Sequence, residues 1–141
     1  MRRPEDVKME FVRDWTRKAE SDFRTAKHLY AGGADYIYGA TFHAQQGAEK
    51  YLKAFLVWHQ IEFPKTHDIE ALLKLAQVAD AKIPRVLGEA TKLTPYGVEY
   101  RYPGDYPEAT LEDAKHAVEL ALRVRSEILS RLPVDALPQG D

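Results

Sequence analysis

Residues 42–54 read FHAQQGAEKYLKA, and the fold turns on how this run divides into an inside and an outside. At ~100° per residue, Ile37, Ala40, Ala44, Ala48, Tyr51, Leu52 and Phe55 fall on one stripe, the mark of an amphipathic helix, which here ends near His59. With Ala44 at the centre of that stripe, Gln46 and Lys53 point almost directly away from it. His43 and Lys50 lie on the same outer side, so His43, Gln46, Lys50 and Lys53 form a ladder along a face expected to be wet. Any surface helix presents a polar face of this kind. These residue types also donate to phosphate oxygens and base edges, and only Glu49, near the edge of the face, offers a counter-charge.

Outward from this helix the period stays helical. Val12, Trp15, Ala19, Phe23, Ala26 and Tyr30 form a stripe that Gly32-Gly33 stops, and Asp35 reads as the next N-cap. Pro64 marks a break, after which Thr66 or Asp68 caps a shorter helix carrying Ile69, Leu72, Leu73 and Ala76. A fourth segment runs from Ile83 to about Tyr100, with a weak point at Thr94-Pro95. Residues 101–109, RYPGDYPEA, read as a loop. Thr110 and Asp113 open a last helix whose apolar stripe is Leu111, Ala114, Val118, Ala121, Ile128 and Leu132. No run alternates as a strand does. The implied class is all-α: an antiparallel, up-and-down four-helix bundle with one short additional helix. Residues 1–134 form one domain, and residues 135–141 read as a flexible tail. Val57, Trp58 and Leu29 lie off the core stripes and point to a contact between subunits.

Composition narrows the function. The chain has 141 residues, 30% of them charged, with a net charge of −2, so a polyanion would need a local basic patch. Without cysteine there is no disulfide, thiolate nucleophile or cysteine zinc site. No apolar run approaches the ~20 residues of a membrane span, and no signal core follows Arg2-Arg3, so the default is a cytoplasmic protein.

Candidate chemistry sits in three places. Lys65, Thr66 and His67 stand at the start of the third helix, where free N–H groups and the helix dipole favour an anion. Tyr96, Tyr100 and Tyr102 offer faces for a base, or simply close the bundle end. Glu49 near the core edge and Arg125 within the last helix's apolar stripe read as a structural pair. The five histidines show no zinc-helix spacing, and no glycine-rich phosphate loop is present, so neither a metal nor a cofactor is expected.

The ordered set Gln-Gln-x-x-Glu-Lys-x-x-Lys-Ala (residues 45–54) followed by Lys-Thr-His-Asp (residues 65–68) resembles the signature of the HEPN family, the higher-eukaryote and prokaryote nucleotide-binding domains. WTRKAESDFRTAKHLY (residues 15–30), with Ala19, Asp22 and Ala26, is similar to the family's first helix. LTPYGVEYRYPG (residues 93–104) resembles its Arg-Tyr-Pro segment, and DAKHAVELALRV (residues 113–124) its closing helix. The resemblance implies a four-helix core, a homodimer, and a neighbouring minimal nucleotidyltransferase with which such proteins form toxin–antitoxin pairs. In one branch it implies a metal-independent ribonuclease whose motif is an arginine, four to six residues, and a histidine. Here Arg24 and His28 are separated by only three residues, and Arg101 has no histidine within reach.

The reading adopted is a HEPN binding protein without catalytic residues. Its ligand is a nucleotide or an RNA phosphate. Lys50 and Lys53 serve as point charges, His43, Gln46 and His67 as hydrogen-bonding groups, Arg101 as a forked donor, and Tyr102 as a stacking face. The alternatives are a pure protein-interaction partner and an atypical ribonuclease toxin built on Arg24 and His28.

Overall fold

The computed structural model describes residues 3–98, 104 and 107–138. It is all-α. The long helices are α1 (Pro4–Ala31), α2 (Ile37–Trp58) and α6 (Leu111–Leu129). Between α2 and α6 lie three short ones, α3 (Ile69–Ala76), α4 (Ile83–Leu87) and α5 (Thr94–Val98). No described helix is long and apolar enough to cross a membrane.

α1 starts two turns before its apolar stripe does, with Pro4 in the first turn, where its missing N–H costs nothing. It stops where Gly33 takes φ +88°, a left-handed conformation open mainly to glycine. Asp35 does not cap α2 as expected. Residues Ala34–Tyr36 make a single 3₁₀ turn instead, and α2 starts at Ile37 without a side-chain cap. α1 and α2 then run antiparallel, and Gly47 lets them approach closely. A β-carbon there would stand 3.4 Å from the Ala19 carbonyl oxygen.

α2 is the central helix. Ala44, Ala48, Tyr51, Leu52, Phe55 and Leu56 are buried from its stripe, and so are Gln45, Glu49 and Lys53 from its other sides. α1, α3, α5 and α6 all pack on it. The core continues through Phe23 on α1, Ile69, Leu72, Ile83, Leu87 and Leu93 in the middle segment, and Val124 and Ile128 on α6. Each such side chain taken fully out of water contributes about 1.5–3 kcal/mol.

Four expectations need correction. The fourth segment is not one long helix: α4 gives way to a 3₁₀ stretch, Gly88–Leu93, before α5. Pro95 fits only the first turn of a helix, so α5 is a new start. On α6 the buried set is Ala114, Ala117, Leu120, Ala121, Val124 and Ile128, while Leu111 is exposed. The tail beyond residue 134 is anchored as far as it is described. Val134–Ala136 forms a 3₁₀ turn with Ala136 fully buried, and α1 holds it through Arg13 Nε to the Asp135 carbonyl (2.7 Å) and Thr16 Oγ1 to the Ala136 carbonyl (3.1 Å). Nor are Val57, Trp58 and Leu29 bare: the first two pack on the core, Lys8 covers the Trp58 ring at 4.1 Å, and Leu29 sits against Gly39.

Candidate functional site

Because α2 is central, its polar face meets protein before it meets water. The α1–α2 hairpin brings Asp22 against His43 and Lys50. His43 Nδ1 lies 2.8 Å from one Asp22 oxygen, and Lys50 Nζ lies 2.5 Å from the other. Lower on α2 the pattern repeats with Glu49 at its centre. His67 Nδ1 (2.8 Å) and Gln45 Nε2 (3.2 Å) meet one Glu49 oxygen, and Lys53 Nζ (3.0 Å) meets the other. Gln45 also donates to the His67 carbonyl, and Gln46 donates to Gln45. The result is a strip holding two carboxylates, each with a histidine and a lysine.

The ladder is therefore only partly wet. Lys53, placed by periodicity directly outward, has a side chain 9% exposed. Its ammonium lies 5.6 and 5.7 Å from the ring centroids of Trp15 and Phe63, which themselves pack edge to face. An ammonium that deep is tolerable only with its carboxylate beside it. Lys50 is 23% exposed, His43 32% and His67 50%, so these three form the rim. A carboxylate can only accept, so each facing histidine nitrogen carries its proton, and Nε2 is the nitrogen turned away. Among the described residues neither Nε2 has a hydrogen-bond partner.

Other expected groups fall elsewhere. The start of α3 is not an open anion site. Asp68 caps the Glu70 N–H, Thr66 accepts from the Asp68 N–H, and Thr94 Oγ1 takes the Ile69 N–H. Arg125 pairs with Glu20, not with Glu49. Its Nε and Nη2 both reach the Glu20 carboxylate, the latter at 3.3 Å, and the Tyr51 hydroxyl donates to the same group. Burial alone would raise the Glu20 carboxyl, but the hydrogen bonds from Arg125 and Tyr51 and the charges of Arg125 and Arg24 outweigh it and hold it below the usual glutamate range. Burial and the adjacent Glu20 charge push the Tyr51 phenol far above its ordinary value. Arg24 turns toward Glu20 at 3.8 Å, one turn before an exposed His28. Arg101, Tyr100 and Tyr102 lie outside the described residues, and Tyr96 is half-buried against the core. No three His, Asp or Glu side chains among the described residues converge as metal ligands.

Asp22, the hub of the upper cluster, is missing from the site the sequence suggests. A signal was available, since it lies between Ala19 and Ala26 on the flank of α1 that an antiparallel hairpin turns toward α2.

The scaffold is all-helical, and along its central helix runs a strip of two largely buried carboxylates. The HEPN domain model matches residues 12–132, and the chain belongs to that family. It is similar to the crystal structure of ST0689, an archaeal HEPN homologue, at 29% identity and TM-score 0.69, covering 85% of this chain and 96% of that one. It is also similar to the crystal structure of TT1696 from Thermus thermophilus, at 31% identity and TM-score 0.69, covering 86% and 98%. A search of curated protein sequences returns no significant match.

Proposed function

We propose that this HEPN protein binds a phosphate-bearing ligand, a nucleotide or RNA, through the rim of the α2 strip. It does so as the non-catalytic member of a cytoplasmic two-protein system with a minimal nucleotidyltransferase, and as a homodimer. The observation that carries the ligand reading is the pair of histidines held through Nδ1 at 2.8 Å by Asp22 and Glu49, which leaves the Nε2–H of the imidazolium form to donate to a phosphate oxygen. His43, Gln46, Lys50 and His67 are the contacting groups; Arg101 and Tyr102, the other two groups expected from the sequence, lie outside the described residues. Lys53 has a different part: it neutralises Glu49 from inside. The partner and dimer assignments rest on the family resemblance.

A second reading, a pure protein-interaction partner, draws support from the corner where α1 meets α2. Tyr36 and Tyr38 are about half exposed there, and Tyr38 stacks on Phe42. Aromatic side chains of this kind anchor protein interfaces.

The test is calorimetric titration with ATP, with a short RNA and with the neighbouring gene product, at fixed salt. His67→Ala should weaken a phosphate ligand by roughly ten- to a hundredfold, the worth of a charge-assisted hydrogen bond. Binding of the gene product alone favours the second reading. RNA cleavage that survives chelation and vanishes with His28→Ala would establish the ribonuclease alternative.

A further inference from the structure

His43 and His67 are alike at the rim, each held by a carboxylate through Nδ1, but their supports differ. His43 lies within α2, and its carboxylate, Asp22, lies within α1. Helical hydrogen bonds fix both main chains. His67 precedes α3 and lies in no helix, so side chains must hold it. Gln45 Nε2 donates to the His67 carbonyl at 3.1 Å and, at 3.2 Å, to Glu49, the carboxylate that His67 faces. An amide turned the other way would set its oxygen against two acceptors, so the orientation of Gln45 decides whether both bonds exist. Gln45 is fully buried, and Gln46 donates to its Oε1.

α5 closes over this amide. A β-carbon at Gly97 would stand 2.6 Å from Gln45 Cδ and Oε1 and 2.9 Å from Nε2, so the glycine backbone lies directly on the amide group, an approach open only to a residue without a side chain. The same helix reaches His67 from a second direction. Thr94 Oγ1, on the first residue of α5, accepts the Ile69 N–H at 3.1 Å, two residues beyond His67. No hydrogen bond among the described residues joins α5 to His43, Asp22 or Lys50. We propose that α5 is the seat of Gln45 and, through it, the positioning element of His67. Seated, it keeps the imidazole on Glu49 through Nδ1 with Nε2 at the rim. Displaced, it frees the Gln45 amide and releases His67 while His43 stays in place. A helix of five residues has no stability of its own, so α5 is ordered only while it is packed on α2, and a partner that draws it away switches one histidine of the two. The inference adds a control to the proposed rim and is measured without a ligand, so either can fail alone.

The experiment is histidine side-chain proton–nitrogen NMR of the full chain at fixed pH and temperature, in which a hydrogen-bonded Nδ1–H gives its own signal. Wild type should show one from His43 and one from His67, assigned with His43→Gln and His67→Gln. Gly97→Ala and Gln45→Ala should each shift or remove the His67 signal and leave that of His43 where it is. Adding Gly97→Ala to Gln45→Ala should change nothing more, because no amide remains to displace, and residues that act through one another are not additive. Thr94→Val, at a half-buried position, keeps the shape and removes the oxygen that holds the Ile69 N–H, so it too should move the His67 signal alone. It keeps the test standing if the substitutions at Gly97 and Gln45 melt the protein below the measuring temperature. A His67 signal unmoved in folded Gly97→Ala and Thr94→Val overturns the positioning role. Equal shifts at His43 and His67 overturn it as well, since they report a general loosening of the bundle. Additive effects of the changes at Gly97 and Gln45 overturn the route through the amide.

Discussion

Replacing Lys53 by methionine separates a buried ion pair from a wet ladder. Methionine keeps the aliphatic stem and its packing between Trp15 and Phe63 but removes the ammonium. Glu49, 3% exposed, then keeps its hydrogen bonds from Gln45 and His67 and loses its strong cation. Removing one partner of a buried pair costs about 3–5 kcal/mol. The two surviving donors place this case at or just under the lower end, near 2–3 kcal/mol, and the lost cation–π contacts with two rings add roughly 0.5 kcal/mol. The expected total is about 3 kcal/mol. For a chain of this size, ~3 °C per kcal/mol makes that a fall of about 9 °C in Tm. The assay is urea and thermal unfolding followed by circular dichroism, on Lys53→Met, Glu49→Gln and the double variant. Two charges that hold each other should give a coupling energy above about 1 kcal/mol in the cycle, with the double variant more stable than the sum of the singles implies. A Lys53→Met change within about 0.5 kcal/mol, the ordinary range for an exposed site, would refute the burial of this lysine. It would restore Lys53 to the outer face as a ligand contact.

Three further outcomes follow from single contacts. The Glu20 carboxyl is held below its ordinary value near 4.5, so its pairing stabilises fully at neutral pH and is lost as pH falls through the lowered value. Glu20→Gln should therefore lower Tm at pH 7 by several degrees and flatten the decline of Tm between about pH 5 and pH 3. Gly97→Ala puts a β-carbon 2.6 Å from the buried Gln45 amide, so we expect a loss of about 1–3 kcal/mol and a changed NMR signal from His67, whose carbonyl Gln45 holds. Thr16→Val strips the buried Ala136 carbonyl of its hydroxyl donor, which should cost about 1–2 kcal/mol and speed hydrogen exchange across residues 134–138.

What the sequence conveys well is the apolar stripe of a helix that faces one neighbour. Val12, Ala19, Phe23 and Ala26 on α1 are buried as their spacing demands, and Thr110 and Asp113 cap α6 reciprocally. The departures share a cause. Amphipathic logic assumes one wet side, and α2 has almost none, so periodicity assigns to water polar residues that are bonded to α1 and to the segment before α3. Nor can periodicity say that Asp22 waits across the hairpin for His43 and Lys50, because that contact joins residues 21 and 28 apart in sequence. On α6 the small residues hide the true stripe. Ala117 sits beside the heavier Val118, yet Ala117 is the one fully covered. The middle segment is legible only as a weak point at Thr94-Pro95, because a 3₁₀ stretch has no strong sequence mark of its own.

The two carboxylates of α1 explain why its flanks do different work. Glu20 and Asp22 are two residues apart, hence about 200° apart around the helix, and each is bound by two donors from the helices beside it. Rotating α1 in either direction would strip both sets at once, leaving carboxylates of 8% and 12% exposure without their cations. The two carboxylates therefore fix the rotation of α1 as well as its position. The same arrangement divides the cations. On the Asp22 flank, the carboxylate takes up His43 and Lys50, leaving short-range hydrogen-bonding groups at a rim. On the Glu20 flank, Arg125 arrives from α6 and shares the carboxylate with Arg24, which lies 3.8 Å from it. Coulomb attraction acts over about a Debye length, whereas a histidine acts only on contact. The lysines of the α2 strip are already neutralised by their carboxylates, so its rim offers hydrogen bonds on contact rather than long-range pull.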